Sequence, residues 1–151
     1  MKGIVLYLFA KGIKAGYLLD EDIREEFSAF SDNFYIKIDT HSKACLVFYK
    51  ENGKICYRLG EKAKQTNADI EISFKSEKAE SKVLLGMRSI QESYARHDTI
   101  VKGDIFLTMR ILRIFEKVEC YLLPKFMTKK LFSEMPKLRA SKLKFYTRLF
   151  F

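Results

Sequence analysis

The sequence has 151 residues, of which 48% are hydrophobic and 31% are charged, and its formal net charge is +9. This composition is typical of one globular domain and excludes a disordered chain. No apolar stretch reaches transmembrane length, and the short apolar run at residues 4–10 lacks a signal-peptide cleavage site. We therefore expect a cytoplasmic protein whose membrane contact, if it has one, is peripheral.

The first predicted element is a helix over residues 4–30, with a break near Gly12 and Gly16. The apolar positions of its second half fall three and four residues apart and alternate with acids, which is the pattern of an amphipathic helix. From residue 33 the period changes to two. Ile36 and Ile38 then share one face of a first strand.

The next segment, residues 44–50, is apolar on both faces and is predicted to lie centrally in a sheet. Asn52 and Gly53 follow it and favour the positive φ angles of a two-residue hairpin turn. Residues 55–59 alternate again as the returning strand, and a polar loop is predicted over 61–67.

A fourth strand is predicted over residues 68–74, and Ser76 is then a candidate N-cap for a helix running to about Ala95. A fifth strand follows over 98–104. Asp104 is a candidate N-cap for the last helix of this region, which Pro124 ends. The helix is apolar over more than half of its circumference, so it is buried on several sides or lines an apolar chamber. Helices packed on one face of the sheet are the expected arrangement.

The sequence contains no motif of a catalytic or metal site. We therefore expect no catalytic residues, no metal-binding residues and no cofactor. His41 and His97 are the only histidines, and neither lies near a second metal-type ligand at a useful spacing. There is no phosphate-binding glycine loop and no nucleophile motif. The acidic clusters of the predicted helices have the spacing of solvated faces.

The last 27 residues carry most of the excess charge, with eight Lys or Arg against one Glu between residues 125 and 151. After Pro136 the apolar and basic residues fall mainly on opposite sides of a helix, a pattern that suits the headgroup layer of an anionic membrane. Packing of the apolar side on the domain is nearly as good an explanation, and nucleic acid is a weaker rival partner that we do not expect. The predicted membrane-contact residues are Lys137, Lys142, Lys144, Phe145, Arg148 and Phe150.

Residues 34–123 resemble the sterol carrier protein-2 (SCP-2) lipid-transfer family in several short motifs that occur in order. The strand at 68–74 begins with the pair Ala68-Asp69, and the helix after it carries Gly86. The segment Ile-Val-Lys-Gly-Asp at 100–104 is similar to the family's strand that ends in Gly-Asp or Gly-Asn, and a helix follows it here as well.

The resemblance implies an α+β fold in which a mixed five-stranded sheet, with helices packed on one face, encloses an apolar tunnel. We expect an SCP-2-like domain at residues 1–124, which includes the N-terminal helix, and a basic amphipathic C-terminal extension at 125–151. The implied activity is non-catalytic carrying or presenting of a fatty acid, phospholipid, sterol or isoprenoid quinone intermediate, with partner proteins in lipid or quinone metabolism. The expected cavity lining consists of Val83, Leu84, Met87, Ile90, Tyr94, Phe106, Met109, Leu112 and Phe115. Two alternatives stay open. One is a scaffold protein with a vestigial cavity, and the other is a small enzyme whose catalytic residues form no motif in the sequence.

Overall fold

The computed structural model describes residues 2–132 and 136–150. It begins with two helices, α1 (Lys2–Leu19) and α2 (Glu21–Phe27). The break between them falls at Asp20, whose carboxylate accepts a hydrogen bond from the backbone N–H of Asp22 at 2.9 Å and caps α2. The predicted break near Gly12 and Gly16 is wrong. A Cβ on Gly12 would lie 3.0 Å from Val118, so this glycine instead lets a later helix approach α1 closely.

A five-stranded mixed sheet forms the centre of the fold. Its strands are β1 (Ile36–Asp39), β2 (Cys45–Glu51), β3 (Lys54–Leu59), β4 (Ile70–Phe74) and β5 (Thr99–Lys102). Their order in the sheet is β3-β2-β1-β4-β5, with β1 and β4 parallel and every other neighbouring pair antiparallel. The hairpin between β2 and β3 turns through Asn52 and Gly53, at φ angles of 51° and 73°, as predicted.

The strand β2 is paired along both edges and buried on both faces, as its sequence predicted. Leu46 and Phe48 point into the main core, which lies between one face of the sheet and the long helices. Cys45 and Val47 point the other way, against Ala63 of a short helix α3 (Glu61–Gln65). The polar loop predicted over 61–67 is therefore wrong, because this segment forms a helix that covers the second face.

Two short helices, α4 (Glu77–Leu84) and α5 (Ile90–Ala95), replace the single helix predicted to run to Ala95. The break is a Schellman motif in which Gly86 has a φ of +74° and the Met87 N–H donates to the carbonyl of Lys82. Ser89 then caps α5 through the Glu92 N–H at 3.1 Å. Ser76 caps α4, as predicted.

Three helices complete the chain: α6 (Ile105–Leu122), α7 (Lys125–Leu131) and α8 (Lys142–Phe150). Asp104 caps α6, as predicted, by accepting from the Leu107 N–H at 3.0 Å. The predicted α+β fold with a mixed five-stranded sheet is confirmed, with α3 as an addition on the second face. α8 packs against α1 and α6, and its Phe145 and Leu149 belong to the main core. Within the described ranges, no helix combines the length and apolarity needed to cross a membrane.

Candidate ligand pocket

An apolar pocket of about 320 Å³ lies between α1, the sheet, the α4–α5 break and the last helices. This volume is at the lower end of the usual range for small-molecule sites. Among the residues that the structure describes, every lining residue is apolar except Glu119 and Tyr146. The lining comprises Val5, Leu6, Leu8, Phe9, Ile38, Phe74, Val83, Leu84, Gly86, Ile90, Glu119, Leu122, Leu123, Tyr146, Leu149 and Phe150.

The break between α4 and α5 forms one side of the pocket. Because Gly86 ends α4, the chain turns there, and Val83 and Leu84 line the pocket from one helix while Ile90 lines it from the next. The turn itself packs against the end of α6 and against α7. A Cβ on Gly86 would lie 3.0 Å from Met127 and 3.2 Å from Leu123.

Glu119 is the acidic group of the lining. Its Oε1 accepts a hydrogen bond from the backbone N–H of Ile90 at 3.3 Å, which links α6 to the first turn of α5. Burial in apolar surroundings raises the pKa of Glu119 to about 8, against an ordinary value of 4.5, and the charge of Glu116 adds to the rise. Glu119 is half-buried, and it is one of the residues that line the pocket.

The helix α8 closes another side of the pocket through Tyr146, Leu149 and Phe150. It is held to the end of α6 by two hydrogen bonds to backbone carbonyls that have no partner within α6. The Tyr146 hydroxyl donates to the carbonyl of Leu122 at 3.0 Å, and Lys142 Nζ donates to the carbonyl of Leu123 at 2.7 Å. This wall of the pocket is therefore attached by specific polar contacts as well as by apolar packing.

The segment before α8 is anchored by a buried polar cluster centred on Asp20. The Tyr121 hydroxyl and Lys117 both donate to its carboxylate, at 2.6 and 2.9 Å, and the Arg139 N–H donates to it at 3.3 Å. Burial alone would raise the pKa of Asp20, but these hydrogen bonds outweigh it and lower the pKa below its ordinary value. The Arg139 side chain also donates to Asp22 at 2.9 Å.

A second buried carboxylate, Glu80, ties the start of α1 to the loop after β1. It pairs with Lys2, and its Oε1 accepts the backbone N–H of His41 at 2.9 Å. The His41 ring nitrogen Nδ1 lies 3.2 Å from the same oxygen. These contacts hold together the elements beside the pocket. Among residues 2–132 and 136–150, no three side chains of His, Cys, Asp or Glu come together as metal ligands.

The structure places three of the nine expected cavity residues, Val83, Leu84 and Ile90, in the pocket lining. Leu112 and Phe115 are buried in the main core and do not line the pocket, and Tyr94 packs against that core. The remaining three lie on the surface. Met87 is 67% exposed because α4 ends before it, and Phe106 and Met109 are exposed in the first half of α6, away from the end that lines the pocket.

The predicted membrane-contact residues also separate into groups. Phe145 is fully buried, with its ring stacked on that of Tyr121 at 4.6 Å between centroids, which corrects its assignment to the surface. Lys142 is half-buried, and its Nζ donates a hydrogen bond to the carbonyl of Leu123, the C-cap residue of α6. Phe150 lines the pocket while remaining 66% exposed. The exposed residues of this set that lie outside the pocket are Lys137, Lys144 and Arg148.

The pocket residues that sequence reasoning missed come mainly from α1 and α8, together with Glu119. A signal for Glu119 is present in the sequence, because it follows Phe115 by four residues and precedes Leu122 by three. That spacing puts a carboxyl on the apolar stripe of α6. No comparable local signal identifies Leu6 or Phe9, because their role depends on how α1 crosses the sheet.

Comparison with solved structures shows that this is an SCP-2-like fold. The apo form of sterol carrier protein 2 from Yarrowia lipolytica is similar over 77% of this chain and 90% of its own, with a TM-score of 0.50 and 17% sequence identity. A structure described as a UbiJ-SCP2 ubiquinone synthesis protein is similar over 73% of this chain and 88% of its own, with a TM-score of 0.49 and 14% identity. Neither protein-family models nor curated proteins gave a match.

Proposed function

We propose that this chain is a non-catalytic carrier that holds one apolar, lipid-like molecule in the pocket between α1, α6, α8 and the sheet. The observation that supports it most directly is the lining, in which all but two side chains are apolar and are drawn from five helices and two strands. Burial of a ligand there contributes about 25 cal/mol per Å² of apolar surface removed from water. The SCP-2-like fold agrees with such a role.

The carrier works close to an anionic membrane in this proposal. Phe150 joins the pocket lining to the exposed surface of α8, and Leu143 on the same helix is 78% exposed. Lys144 and Arg148 are exposed between them. Apolar and basic groups beside a pocket suit a surface that takes up or delivers a molecule dissolved in a bilayer of anionic lipid.

The test is to block the pocket with a large side chain and to measure whether the protein still carries a bound lipid. Native mass spectrometry of the purified protein should show an added lipid mass, and Val83→Trp should remove it because the indole occupies the pocket. Met87→Trp is the matched control, since Met87 lies outside the lining and is 67% exposed. An unchanged adduct on Val83→Trp, or a clean apo mass for the wild type after gentle handling, would contradict the proposal.

The alternative is an accessory scaffold with a vestigial cavity, serving proteins of lipid or quinone biosynthesis. This alternative predicts no adduct, and equal behaviour of the two tryptophan variants. Binding of nucleic acid by the basic C-terminal residues is a weaker rival. It predicts affinity for RNA equal to or above that for anionic vesicles.

A further inference from the structure

Glu119 supplies a carboxyl group to the pocket lining. Among the described residues, that lining contains no Lys, Arg or His. Its Oε1 accepts the Ile90 N–H at 3.3 Å, and Oε2 makes no hydrogen bond to another described residue. In the described part of the chain no buried side-chain oxygen lacks a partner, so Oε2 keeps some accessible surface. Glu119 is also one of the residues that line the pocket.

The protonation state of Glu119 determines what it can bind. Burial raises the pKa to about 8, so the carboxyl is largely neutral at pH 7. A neutral carboxyl has both an O–H donor and acceptor oxygens. One oxygen is used by Ile90, which leaves the other side of the group for a ligand.

We propose that Glu119 binds the uncharged polar head, a hydroxyl or a carbonyl, of the lipid whose apolar chain fills the pocket. The inference rests on the proposed function and specifies its ligand class. A hydroxyl on the ligand would exchange hydrogen bonds with Oε2, and a carbonyl would accept the carboxyl proton. Either contact is made where apolar walls exclude water, and there a lost partner is costly.

Charged heads fit this lining less well. A carboxylate or phosphate would lie beside an acid, with no cationic side chain among the described lining residues to neutralise it. A protonated amine would require Glu119 to ionise and would create a buried ion pair, whose desolvation offsets its attraction. The chemistry of the lining therefore favours long-chain alcohols, sterols and carbonyl-bearing lipids over free fatty acids and lipid amines.

A purely structural role for Glu119 makes different predictions. In that case the carboxyl only accepts the first N–H of α5, and its replacement changes stability without changing which heads are bound. Glu119→Gln keeps an acceptor for Ile90 and a neutral donor for the ligand. Glu119→Leu removes both, so the two variants together separate ligand recognition from helix capping.

The experiment is displacement of N-phenylnaphthylamine, an uncharged apolar fluorophore, by four ligands with the same chain: dodecanol, dodecanoate, dodecylamine and dodecane. Relative to dodecane, dodecanol should bind wild-type protein and Glu119→Gln roughly tenfold more tightly than it binds Glu119→Leu, and both charged ligands should bind the wild type more weakly than dodecanol does. Glu61→Leu is the control, because Glu61 is an exposed acid of α3, on the other face of the sheet and outside the lining. Urea midpoints check that each variant is folded.

An equal ratio of dodecanol affinity to dodecane affinity in wild type and in Glu119→Leu would overturn the inference and leave the carrier function standing. Preference for dodecylamine or dodecanoate by the wild type would also overturn it. Failure of the wild type to bind the fluorophore or dodecane would instead contradict the carrier function, and the inference would fall with it. Retention of dodecanol binding by Glu119→Gln, with loss in Glu119→Leu, supports it.

Discussion

The hydroxyl of Tyr121 lies 2.6 Å from Oδ2 of Asp20, a residue 101 positions earlier in the chain. Asp20 ends α1 and caps α2, while Tyr121 belongs to the last turn of α6. The same hydroxyl accepts the backbone N–H of Ala140 at 3.1 Å. One pair of side chains therefore joins both long helices to the segment that positions α8.

Tyr121→Phe should reduce the free energy of unfolding by about 1.5–3 kcal/mol at pH 7, measured by urea denaturation. The phenyl ring preserves the stacking on Phe145, so the loss reports on the hydroxyl alone. Tyr7→Phe is the control, because Tyr7 is 43% exposed and should change stability by less than about 0.5 kcal/mol. Equal effects of the two substitutions would contradict the role of the Tyr121–Asp20 contact.

Gly86→Ala should destabilise the protein by about 1–2 kcal/mol and weaken ligand uptake. Gly86 has a φ of +74°, and a new Cβ would meet Met127 and Leu123 at the side of the pocket. Gly3→Ala is the matched control, because nothing lies within 4 Å of its Cβ position in α1. That substitution should be neutral or slightly stabilising. Thermal melts of both variants check the prediction, and a stable Gly86→Ala would count against it.

The pH dependence of stability should reveal the raised pKa of Glu119. Because the folded state holds this proton up to about pH 8 and the unfolded state releases it near 4.5, stability falls as pH rises between these values. Glu119→Gln removes that dependence. Urea titrations should show that, between pH 5 and pH 8, the free energy of unfolding of the wild type falls by roughly 1–3 kcal/mol more than that of the variant. Glu116, whose pKa burial also raises, is present in both proteins, and parallel profiles would contradict the assignment.

Binding to anionic vesicles should depend on three exposed basic residues, Lys137, Lys144 and Arg148. Changing all three to Gln removes about 1 kcal/mol of attraction per charge. The affinity for anionic vesicles, measured by co-sedimentation, should therefore fall by roughly a hundredfold. Charge substitution is a cleaner test than deletion, because deletion would also remove the buried Phe145.

The control for the vesicle experiment is the triple change to Gln at Lys54, Lys75 and Lys102, which are exposed lysines of the sheet region. It lowers the net charge by the same amount. If both triple variants lose equal affinity, the membrane contact is a matter of overall charge, and the C-terminal residues have no special part in it.

Affinity should rise with the chain length of a neutral ligand. Each added methylene contributes about 0.8 kcal/mol when it is buried, which is close to fourfold in affinity, until the pocket is filled. A series of alcohols from octanol upward, measured by fluorophore displacement, checks this. Val83→Trp, in which the indole occupies the pocket, should show no such rise with chain length. An affinity independent of length would place the binding energy outside the apolar lining.

Local signals in the sequence predicted much of the fold. Asn52 and Gly53 identify a hairpin without reference to the rest of the chain, and Ser76 and Asp104 cap the helices that follow them. The prediction of a single helix failed at Gly86. It lies inside the stretch that was predicted to form one helix running to about Ala95. Its left-handed backbone instead ends α4, and the N-cap Ser89 begins α5.

The pocket was predicted less well because its walls are distant in sequence. Apolar periodicity places Leu112 and Phe115 on the inner side of α6 but does not distinguish close packing from a cavity wall. Phe145 shows the same difficulty on a basic amphipathic helix, where its apolar side met the protein core and not a bilayer. Those distinctions depend on how separate helices pack, which no single stretch of residues encodes.

Because α8 supplies part of the pocket wall, ligand occupancy and the docking of α8 would be linked equilibria in the proposed carrier. Whatever free energy a ligand gains from Tyr146, Leu149 and Phe150 is also free energy that holds α8 in place. An empty pocket leaves this helix secured only by its own packing and its hydrogen bonds to α6. Proteases act on opened segments, so the loaded protein should be the longer-lived form and its abundance should follow the supply of its ligand.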